Sequence, residues 1–252
     1  MIHFVGAGCG AADLITVRGL KYLEKADVVI YAGSLVNPEL LKYTKEGCMI
    51  FNSAEMVLEE IMDEMISADK KGLDVVRLHT GEPSLYGAVK EQMEELDKAG
   101  IPYDSCPGVS ACFGAASSLN LEYTLPEVSQ TLIITRMEGR TSVPEKEKIK
   151  NLASHNASMA VYLSSGLLDK LSEALIEGGY VPDTPAAIVY KATWPDEKIC
   201  PCTVSTLSET GKKNDIKKTA VILVGNVLDT SNIVRSRLYS SDFSTGFRKA
   251  KK

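Results

Sequence analysis

Short apolar segments alternate with amphipathic helical segments through the first 120 residues of the chain. We expect strands at residues 2–5, 27–31, 49–51 and 74–79, and helices at residues 17–25, 38–43, 54–71 and 85–99. In the longest of these helices, Met56, Ile61, Met65 and Ala68 form an apolar stripe with carboxylates between them. This alternation predicts a mainly parallel sheet that is covered by helices on both faces.

The pattern changes after Asn120, where strand-like segments follow one another with fewer helices between them. We expect strands at residues 130–135, 159–163, 186–190, 199–204 and 220–224, and helices at residues 146–153 and 167–177. The sequence therefore predicts an N-terminal α/β domain over residues 1–120 and a second α/β domain, with a mixed sheet, over residues 121–238. A polar, basic tail is expected over residues 239–252.

Charge and cysteine usage limit the classes of function. A net charge of -5 over 252 residues argues against a broad nucleic-acid-binding face. Apolar segments are too short for a membrane span, and no secretory leader is expected. Cys200 and Cys202 are the only closely spaced pair among six cysteines, and none of the three histidines lies near them. We therefore expect a cytoplasmic protein with reduced thiols and no bound metal.

The first strand runs directly into a glycine-rich loop, with Gly6, Gly8 and Gly10 followed by Ala11. This spacing fits the looser fingerprint of a dinucleotide site. Such a site also needs an acidic side chain at the end of the second strand, about 20 residues on, to hold the ribose. Residues 31–34, Tyr-Ala-Gly-Ser, contain none there, so a nucleotide-phosphate loop is excluded.

Two further glycine loops follow predicted strands, at residues 80–87 and 106–111, and a helix is expected after each. Helix N-termini present free amides and a partial positive charge, which attract polar and anionic ligand groups. Because open parallel sheets bind ligands at the carboxyl ends of their strands, we expect the three loops to form one cleft.

Several segments together resemble a known family. VGAGCGAADLITVRG, HTGEPSLYG, PGVSA and AVILVG resemble, in this order, the signature segments of the tetrapyrrole methylases, which transfer methyl groups from S-adenosylmethionine (SAM). DVVIYAGSLVNPELL and SQTLIITRMEGRTSVPE resemble in particular the precorrin-4 C-11 methyltransferases of cobalamin synthesis, including the members that use cobalt-containing substrates. The resemblance extends from residue 1 to about Leu228.

The resemblance implies a homodimer of two-domain α/β chains, with SAM in a cleft between the domains and (cobalt-)precorrin-4 as substrate. Carried over by position, the residues implied to contact SAM are Thr80, Gly81, Glu82, Ser110, Ala111, Leu163, Ala187 and Ala220. The opening loop, with Gly8, is implied to border the tetrapyrrole. The chain departs from the family at Cys9, where proline is usual, and at Glu82, where aspartate is usual.

The substrate carries many carboxylates, so arginines are expected where it docks. Arg18, Arg136 and Arg140 lie in the matching segments; Arg18 could equally brace the first helix. Tyr31 and Tyr86 are candidates for packing on the macrocycle, although an aromatic beside a sheet is more often part of the core. Methyl transfer from a sulfonium needs alignment and exclusion of water more than covalent chemistry, so no catalytic residue is nominated.

Three alternatives stay open at this point. Another member of the family could act at a different ring position, as in methylation of uroporphyrinogen III or of precorrin-2 or -3. A Rossmann-like NAD-dependent oxidoreductase would bind a nicotinamide, and a tetrapyrrole carrier would bind neither nicotinamide nor S-adenosylhomocysteine (SAH). Binding titrations distinguish these classes.

Overall fold

The structure is a computed structural model, and it describes residues 1–229 and 236–251. These fall into two compact units, Met1–Ala115 with Lys191–Glu197, and Ala116–Tyr190 with Lys198–Lys252. The domain limits expected at residues 120 and 238 stay a prediction. Residues 230–235, within the expected second domain, and residue 252, at the end of the expected tail, lie outside the described residues.

The first unit contains a sheet of five parallel strands. They are β1 (Ile2–Gly6), β2 (Val28–Tyr31), β3 (Met49–Asn52), β4 (Val75–His79) and β5 (Tyr103–Cys106), in the order β3-β2-β4-β1-β5. The register pairs Ile2 with Val75 of β4 on one side and with Tyr103 of β5 on the other. The expected parallel sheet is confirmed, and β1 lies between the two strands that precede the other glycine loops.

Helices pack on both faces of this sheet, as the β–α alternation predicts. They are α1 (Val17–Lys25), α2 (Leu58–Lys70), α3 (Val89–Ala99) and α4 (Ala111–Leu119). On one face, Met65 of α2 and Leu96 of α3 pack with Phe4 in a fully buried cluster. On the other face, Leu23 of α1 packs with Val5 and Leu78. Each face therefore supplies its own apolar core.

Two helices of the first unit begin later than their apolar periodicity predicts. The α2 helix begins at Leu58, where the Glu60 carboxylate accepts a hydrogen bond of 2.9 Å from the Val57 amide, so Met56 of the predicted stripe precedes the helix. The α3 helix begins only at Val89, because Tyr86 and Ala88 adopt positive φ values of 58° and 49°. Left-handed residues interrupt a helix whatever their hydrophobicity.

The second unit contains a mixed sheet, as expected. Its strands are β6 (Leu132–Arg136), β7 (Ser158–Tyr162), β8 (Pro185–Tyr190), β9 (Lys198–Thr203) and β10 (Ala220–Val224), in the order β6-β7-β10-β8-β9. Only β6 and β7 are parallel; β10 is antiparallel to β7 and β8, and β8 is antiparallel to β9.

One face of this second sheet carries the unit's apolar core. The helices are α5 (Ile149–Ala153), α6 (Leu168–Gly178) and α7 (Leu207–Lys213). Leu171 and Leu175 of α6 pack with Met159, Ile188 and Ile222 from three central strands. This unit therefore has a core of its own, although its α5 helix is shorter than the segment expected at residues 146–153.

The basic C-terminal segment folds on itself where it is described. The guanidinium of Arg248 donates hydrogen bonds of 2.9 Å and 2.8 Å to the carbonyls of Leu238 and Ser240. None of the helices described between residues 1 and 251, outside 230–235, has the length and apolar character that a membrane crossing requires.

Candidate active site

The three glycine loops meet at the carboxyl edge of the parallel sheet, as the sequence predicts. A Cβ atom built on Gly6 would lie 2.6 Å from Gly108 Cα and 2.6 Å from Gly81 O. A Cβ atom on Gly108 would collide with Gly81 O and lie 2.8 Å from Gly6 Cα. Only glycine permits three backbones to come this close. Because β4, β1 and β5 are adjacent in the sheet, the loops that follow them lie next to one another at its carboxyl edge.

Hydrogen bonds also join the first two loops. Gly8 and Gly81 form an antiparallel bridge, in which the Gly81 amide donates to Gly8 O at 2.9 Å. The Ala7 amide donates to His79 O at 2.7 Å, which extends the pairing of β1 and β4 beyond the strands. Gly8 has a φ of 84°, which a side chain would strain. The loop implied to border the tetrapyrrole is thus fixed against the loop implied to contact SAM.

Glu82 joins the second loop to the third. Its Oε1 accepts a hydrogen bond of 2.9 Å from the Ser84 amide, and its Oε2 accepts one of 2.8 Å from the Gly108 amide. Burial raises the pKa of the Glu82 carboxyl, but the hydrogen bonds from Ser84 and Gly108 outweigh burial, so the net shift is downwards. The carboxylate is therefore an anionic brace between loops, a role that its position in a family motif does not reveal.

Ser110 and Ala111, both predicted to contact the cofactor, lie beside Gly81 at the start of α4. A Cβ atom on Gly81 would lie 3.6 Å from Ser110 Cα and 3.8 Å from Ala111 N. The first turn of a helix directs its amides outward and favours negative charge. The structure thus brings together Gly8, Gly81, Glu82, Ser110 and Ala111, which the sequence analysis selected from three separate segments.

The remaining predicted residues of the first unit surround this group less closely. Thr80 is exposed, and its hydroxyl donates to Leu35 O at 2.8 Å, so it fixes the loop that follows β2. Tyr31 is half-buried and packs against the core on the α1 face, which matches the alternative that it is a core aromatic. Tyr86 is 44% exposed at its left-handed position.

In the second unit, two of the predicted cofactor residues lie near one end of the mixed sheet. Leu163 follows β7, with a φ of 52° and 68% of its surface exposed, and this left-handed residue ends the strand one position earlier than predicted. Ala220 begins β10, and its carbonyl accepts a hydrogen bond from the Ser165 hydroxyl at 3.3 Å. Ala187 pairs with Leu223 three positions further along β10, and it is only 2% exposed.

The two arginines of the TRMEGRT segment have different surroundings. The guanidinium of Arg136 donates hydrogen bonds of 3.1 Å to Met137 O and Thr141 O, and one of 2.7 Å to Ser142 O. It therefore holds its own loop in shape. Arg140, in that loop, is exposed. Of the two, Arg140 is the more available to an anionic ligand.

Arg18 lies in the first turn of α1. It lines a depression of about 330 Å³ together with His3, Lys21, Tyr22, Lys25 and Asp74. His3 stacks on Tyr22 with ring centroids 3.9 Å apart, and its Nδ1 lies 2.7 Å from Asp104 Oδ1. Both readings of Arg18, ligand binding and bracing of the first helix, stay predictions.

The sequence analysis did not select a buried polar group on β4. Arg77 is 5% exposed and donates from Nε to Gln92 Oε1 at 3.1 Å and from a terminal nitrogen to Ile30 O at 3.1 Å. Gln92 in turn donates to Ala88 O at 3.2 Å, which ties β4 to the left-handed turn before α3. Burial lowers the pKa of Arg77 to about 10. The feature of the sequence that could have indicated this buried polar group is Arg77 itself, a cation within the otherwise apolar segment VVRLH.

His79, the last residue of β4, is a second buried polar side chain that the sequence analysis did not select. Its Nε2 is buried and has no hydrogen-bond partner among the residues that the structure describes. Burial, with a smaller contribution from Arg77, lowers the pKa of His79 to about 3. Among the described residues, His, Cys, Asp and Glu side chains form no group of three or more that could hold a metal ion.

The sequence analysis also did not select Thr193, which contacts the opening glycine-rich loop. Thr193, in the connection between β8 and β9, accepts a hydrogen bond of 3.0 Å from the Ala11 amide, and its Oγ1 lies 3.4 Å from Cys9 Sγ. Burial raises the pKa of the Cys9 thiol, and the bond to Thr193 offsets part of that shift. The feature of the sequence that could have drawn attention to Thr193 is the one tryptophan of the chain, which follows it in the segment ATWPDE.

Comparison with known proteins identifies the family to which this two-unit α/β chain belongs. Residues 1–208 match the model of the tetrapyrrole (corrin/porphyrin) methylases, and the chain belongs to this family. It is 54% identical to a cobalt-precorrin-4 C(11)-methyltransferase of Methanocaldococcus jannaschii, with 100% of this chain and 97% of the relative covered. It is 46% identical to the enzyme of that name from Priestia megaterium, with 100% and 98% covered.

Solved structures agree with this assignment. An X-ray structure of a cobalt precorrin-4 methyltransferase, a cobalamin biosynthetic enzyme, is 47% identical and superposes with a TM-score of 0.88 over 90% of this chain and 95% of that one. A uroporphyrin-III C-methyltransferase from Thermus thermophilus, solved with S-adenosyl homocysteine, has the same fold at 22% identity and a TM-score of 0.76, with 90% and 98% covered.

Proposed function

We propose that this protein is a SAM-dependent methyltransferase that transfers a methyl group to carbon 11 of (cobalt-)precorrin-4, giving (cobalt-)precorrin-5 in cobalamin biosynthesis. The observation that supports this most is the identity of 54% over the whole chain to a relative with that activity in its name. Relatives named precorrin-4 C(11)-methyltransferase, without cobalt in the name, are 41–43% identical, so the cobalt form is the first substrate to test.

We propose that the cofactor contacts are Thr80, Gly81, Glu82, Ser110 and Ala111 from the first unit, with Leu163, Ala187 and Ala220 from the second. When bound, SAM supplies an electrophilic methyl group on a sulfonium. The residues of the first unit support this proposal, because the Gly81 backbone lies directly beside Ser110 and Ala111 at the start of α4, where a Cβ atom on Gly81 would lie 3.6 Å from Ser110 Cα. There, helix amides favour a carboxylate such as that of the amino-acid portion of SAM.

For the substrate we propose contacts from Gly8, Arg18, Tyr31, Tyr86, Arg136 and Arg140. Arginine is suited to the peripheral carboxylates of the macrocycle, because its planar guanidinium binds a carboxylate through two hydrogen bonds. The exposed Arg140 and Tyr86 support this proposal most directly. The protein's part in the reaction is to align the two reactants and exclude water, so no general base is proposed.

We further propose a cytoplasmic homodimer that binds neither nucleic acid, membrane nor a resident metal. The net charge of -5 supports the absence of a nucleic-acid partner, and the free cysteines of the described residues suit a reducing compartment. Sedimentation of the purified protein tests the dimer.

Binding titrations separate the proposed function from the alternatives. The proposal predicts that SAH binds with a 1:1 stoichiometry per chain in calorimetry and that NAD does not bind. Formation of SAH from SAM should then require (cobalt-)precorrin-4. Binding of NAD in place of SAH would favour the oxidoreductase, and binding of the tetrapyrrole alone would favour a carrier.

A further inference from the structure

One short segment from late in the sequence belongs structurally to the first unit. Residues Lys191–Glu197 connect β8 to β9, yet they group with Met1–Ala115. We call these seven residues the strap. The strap lies on the opening loop at Cys9, Gly10 and Ala11, which the proposed function places beside the tetrapyrrole.

The strap is in tight contact with the opening loop. Thr193 Oγ1 accepts a hydrogen bond of 3.0 Å from the Ala11 amide and lies 3.4 Å from Cys9 Sγ. A Cβ atom on Gly10 would lie 2.5 Å from Ala192 O and 2.7 Å from Thr193 Oγ1, and would also collide with the indole of Trp194. On its other side, the opening loop is held by Asn37, whose Nδ2 donates a hydrogen bond of 2.9 Å to Gly10 O.

The strap is held in an unusual backbone conformation by bonds of its own. Lys191 and Thr193 have positive φ values of 46° and 66°, and a β-branched residue rarely adopts that region. The Thr193 amide donates to Glu197 Oε2 at 2.5 Å, and the Lys191 ammonium lies 2.6 Å from Asp196 Oδ2 and 5.2 Å from the Trp194 ring centroid. Strained backbone of this kind persists where the surroundings fix it, and it is concentrated at functional sites.

We propose that the strap is a positioning element of the tetrapyrrole site, in which the Thr193 hydroxyl sets the conformation of residues 9–11 and so the fit of the macrocycle. This inference rests on the proposed function. It assigns Thr193 no contact with the reacting atoms. Its effect is transmitted through the Ala11 amide, which loses its acceptor when the hydroxyl is removed.

The test is a matched pair of substitutions at Thr193. Thr193→Val keeps the shape and the β-branch but removes the hydroxyl, and Thr193→Ser keeps the hydroxyl. We expect Thr193→Val to raise the KM for cobalt-precorrin-4 about tenfold, because residues 9–11 must then be ordered on substrate binding without this hydrogen bond, with the Kd for SAH unchanged. We expect Thr193→Ser to restore the wild-type KM. Hydrogen exchange at Ala11 should be faster in the valine variant only.

A second substitution disturbs the same contact from the opposite side, in case Thr193→Val does not fold. Gly10→Ala places a methyl group against the strap, and it should also raise the KM for the macrocycle while SAH binding is kept. Gly246→Ala is the control and should match the wild type, because no atom of the described residues, apart from its own chain neighbours, lies within 4 Å of the new Cβ.

The outcomes are distinguishable. Faster exchange at Ala11 with an unchanged KM, or an equal loss of affinity for SAH and the macrocycle, would overturn the positioning role while the proposed function stands. Unchanged exchange at Ala11 would overturn it as well, because the hydrogen bond would then not depend on Thr193. A wild-type protein that does not methylate the macrocycle would overturn the proposed function and this inference with it.

Discussion

The Glu82 carboxylate accepts a hydrogen bond of 2.8 Å from the Gly108 amide, so a side chain from the loop after β4 holds the loop that follows β5. The strand between them, β1, contributes Gly6, whose backbone touches both loops. This arrangement explains why glutamate in place of the usual aspartate is compatible with the fold: its carboxylate reaches the amides of Ser84 and Gly108 together.

Replacing Glu82 with glutamine should separate these loops. The amide group of glutamine offers one acceptor where the carboxylate offers two, so a backbone N–H loses its partner. We expect Glu82→Gln to lower the free energy of unfolding by about 1–2 kcal/mol at pH 7, measured by urea denaturation. The exposed mid-helix Glu173→Gln is the control. Because the pKa of Glu82 is lowered from its ordinary 4.5 in the folded protein, its contribution is present above pH 4.5. The contribution of Glu82 is lost as the pH falls through its pKa in the folded protein. If Glu82→Gln were as stable as Glu173→Gln at pH 7, the role of the Glu82 carboxylate in joining the two loops would be contradicted.

His79 should make the protein less stable in acid. The folded state holds the pKa of His79 at about 3, below the ordinary value of 6.5, so the neutral ring favours folding above pH 6.5. This contribution is lost as the pH falls from 6.5 towards 3, with a slope of up to about 1.4 kcal/mol per pH unit. Urea denaturation of His79→Leu across that range should show a smaller slope. His155→Gln, at an exposed histidine, is the control and should keep the wild-type slope. A wild-type slope in His79→Leu would contradict the lowered pKa of His79.

Two glycines of the same site should respond differently to alanine. A Cβ atom on Gly108 meets the backbone of Gly6 and Gly81, whereas one on Gly81 would make an ordinary contact of 3.6 Å with Ser110 Cα but requires a φ of 59°. We expect Gly108→Ala to lower the free energy of unfolding by about 3 kcal/mol or more. Gly81→Ala should cost about 1–2 kcal/mol, from backbone strain alone. Chemical denaturation gives both values, and equal costs would contradict the joining of the three loops.

The two arginines of the TRMEGRT segment should also differ. Arg140→Ala should raise the KM for the macrocycle about five- to tenfold and leave stability unchanged, because its side chain is exposed. Arg136→Ala should in addition lower the free energy of unfolding by about 1 kcal/mol, since the carbonyls of Met137, Thr141 and Ser142 lose a donor. Calorimetry should show wild-type affinity for SAH in both variants. A parallel loss of SAH affinity in Arg140→Ala would count against substrate binding.

The sequence predicted the parts of the fold that depend on local pattern. Apolar segments followed by glycine loops indicated β1 and β4, and parallel strands necessarily bring such loops to one edge. The β5 strand, with the sequence YDSC, has no apolar run and was not among the expected strands. Strand and helix limits failed where single residues adopt positive φ, as at Leu163 and Ala88. Hydrophobicity and periodicity carry no information about such backbone angles.

Contacts between distant segments were also outside the reach of sequence patterns. Nothing local to Thr193 indicates that it accepts the Ala11 amide, 182 positions away. This bond depends on tertiary packing that places a side chain within reach of a particular backbone group.

The position of the transferred methyl group tests the central claim most directly. Wild-type protein would be incubated without oxygen with cobalt-precorrin-4 and SAM carrying a ¹³C-labelled methyl group, and the product examined by carbon NMR. The proposed function predicts one new labelled methyl, attached to carbon 11, with one SAH formed for each. A label at another ring carbon, or SAH formation that does not depend on the macrocycle, would contradict it.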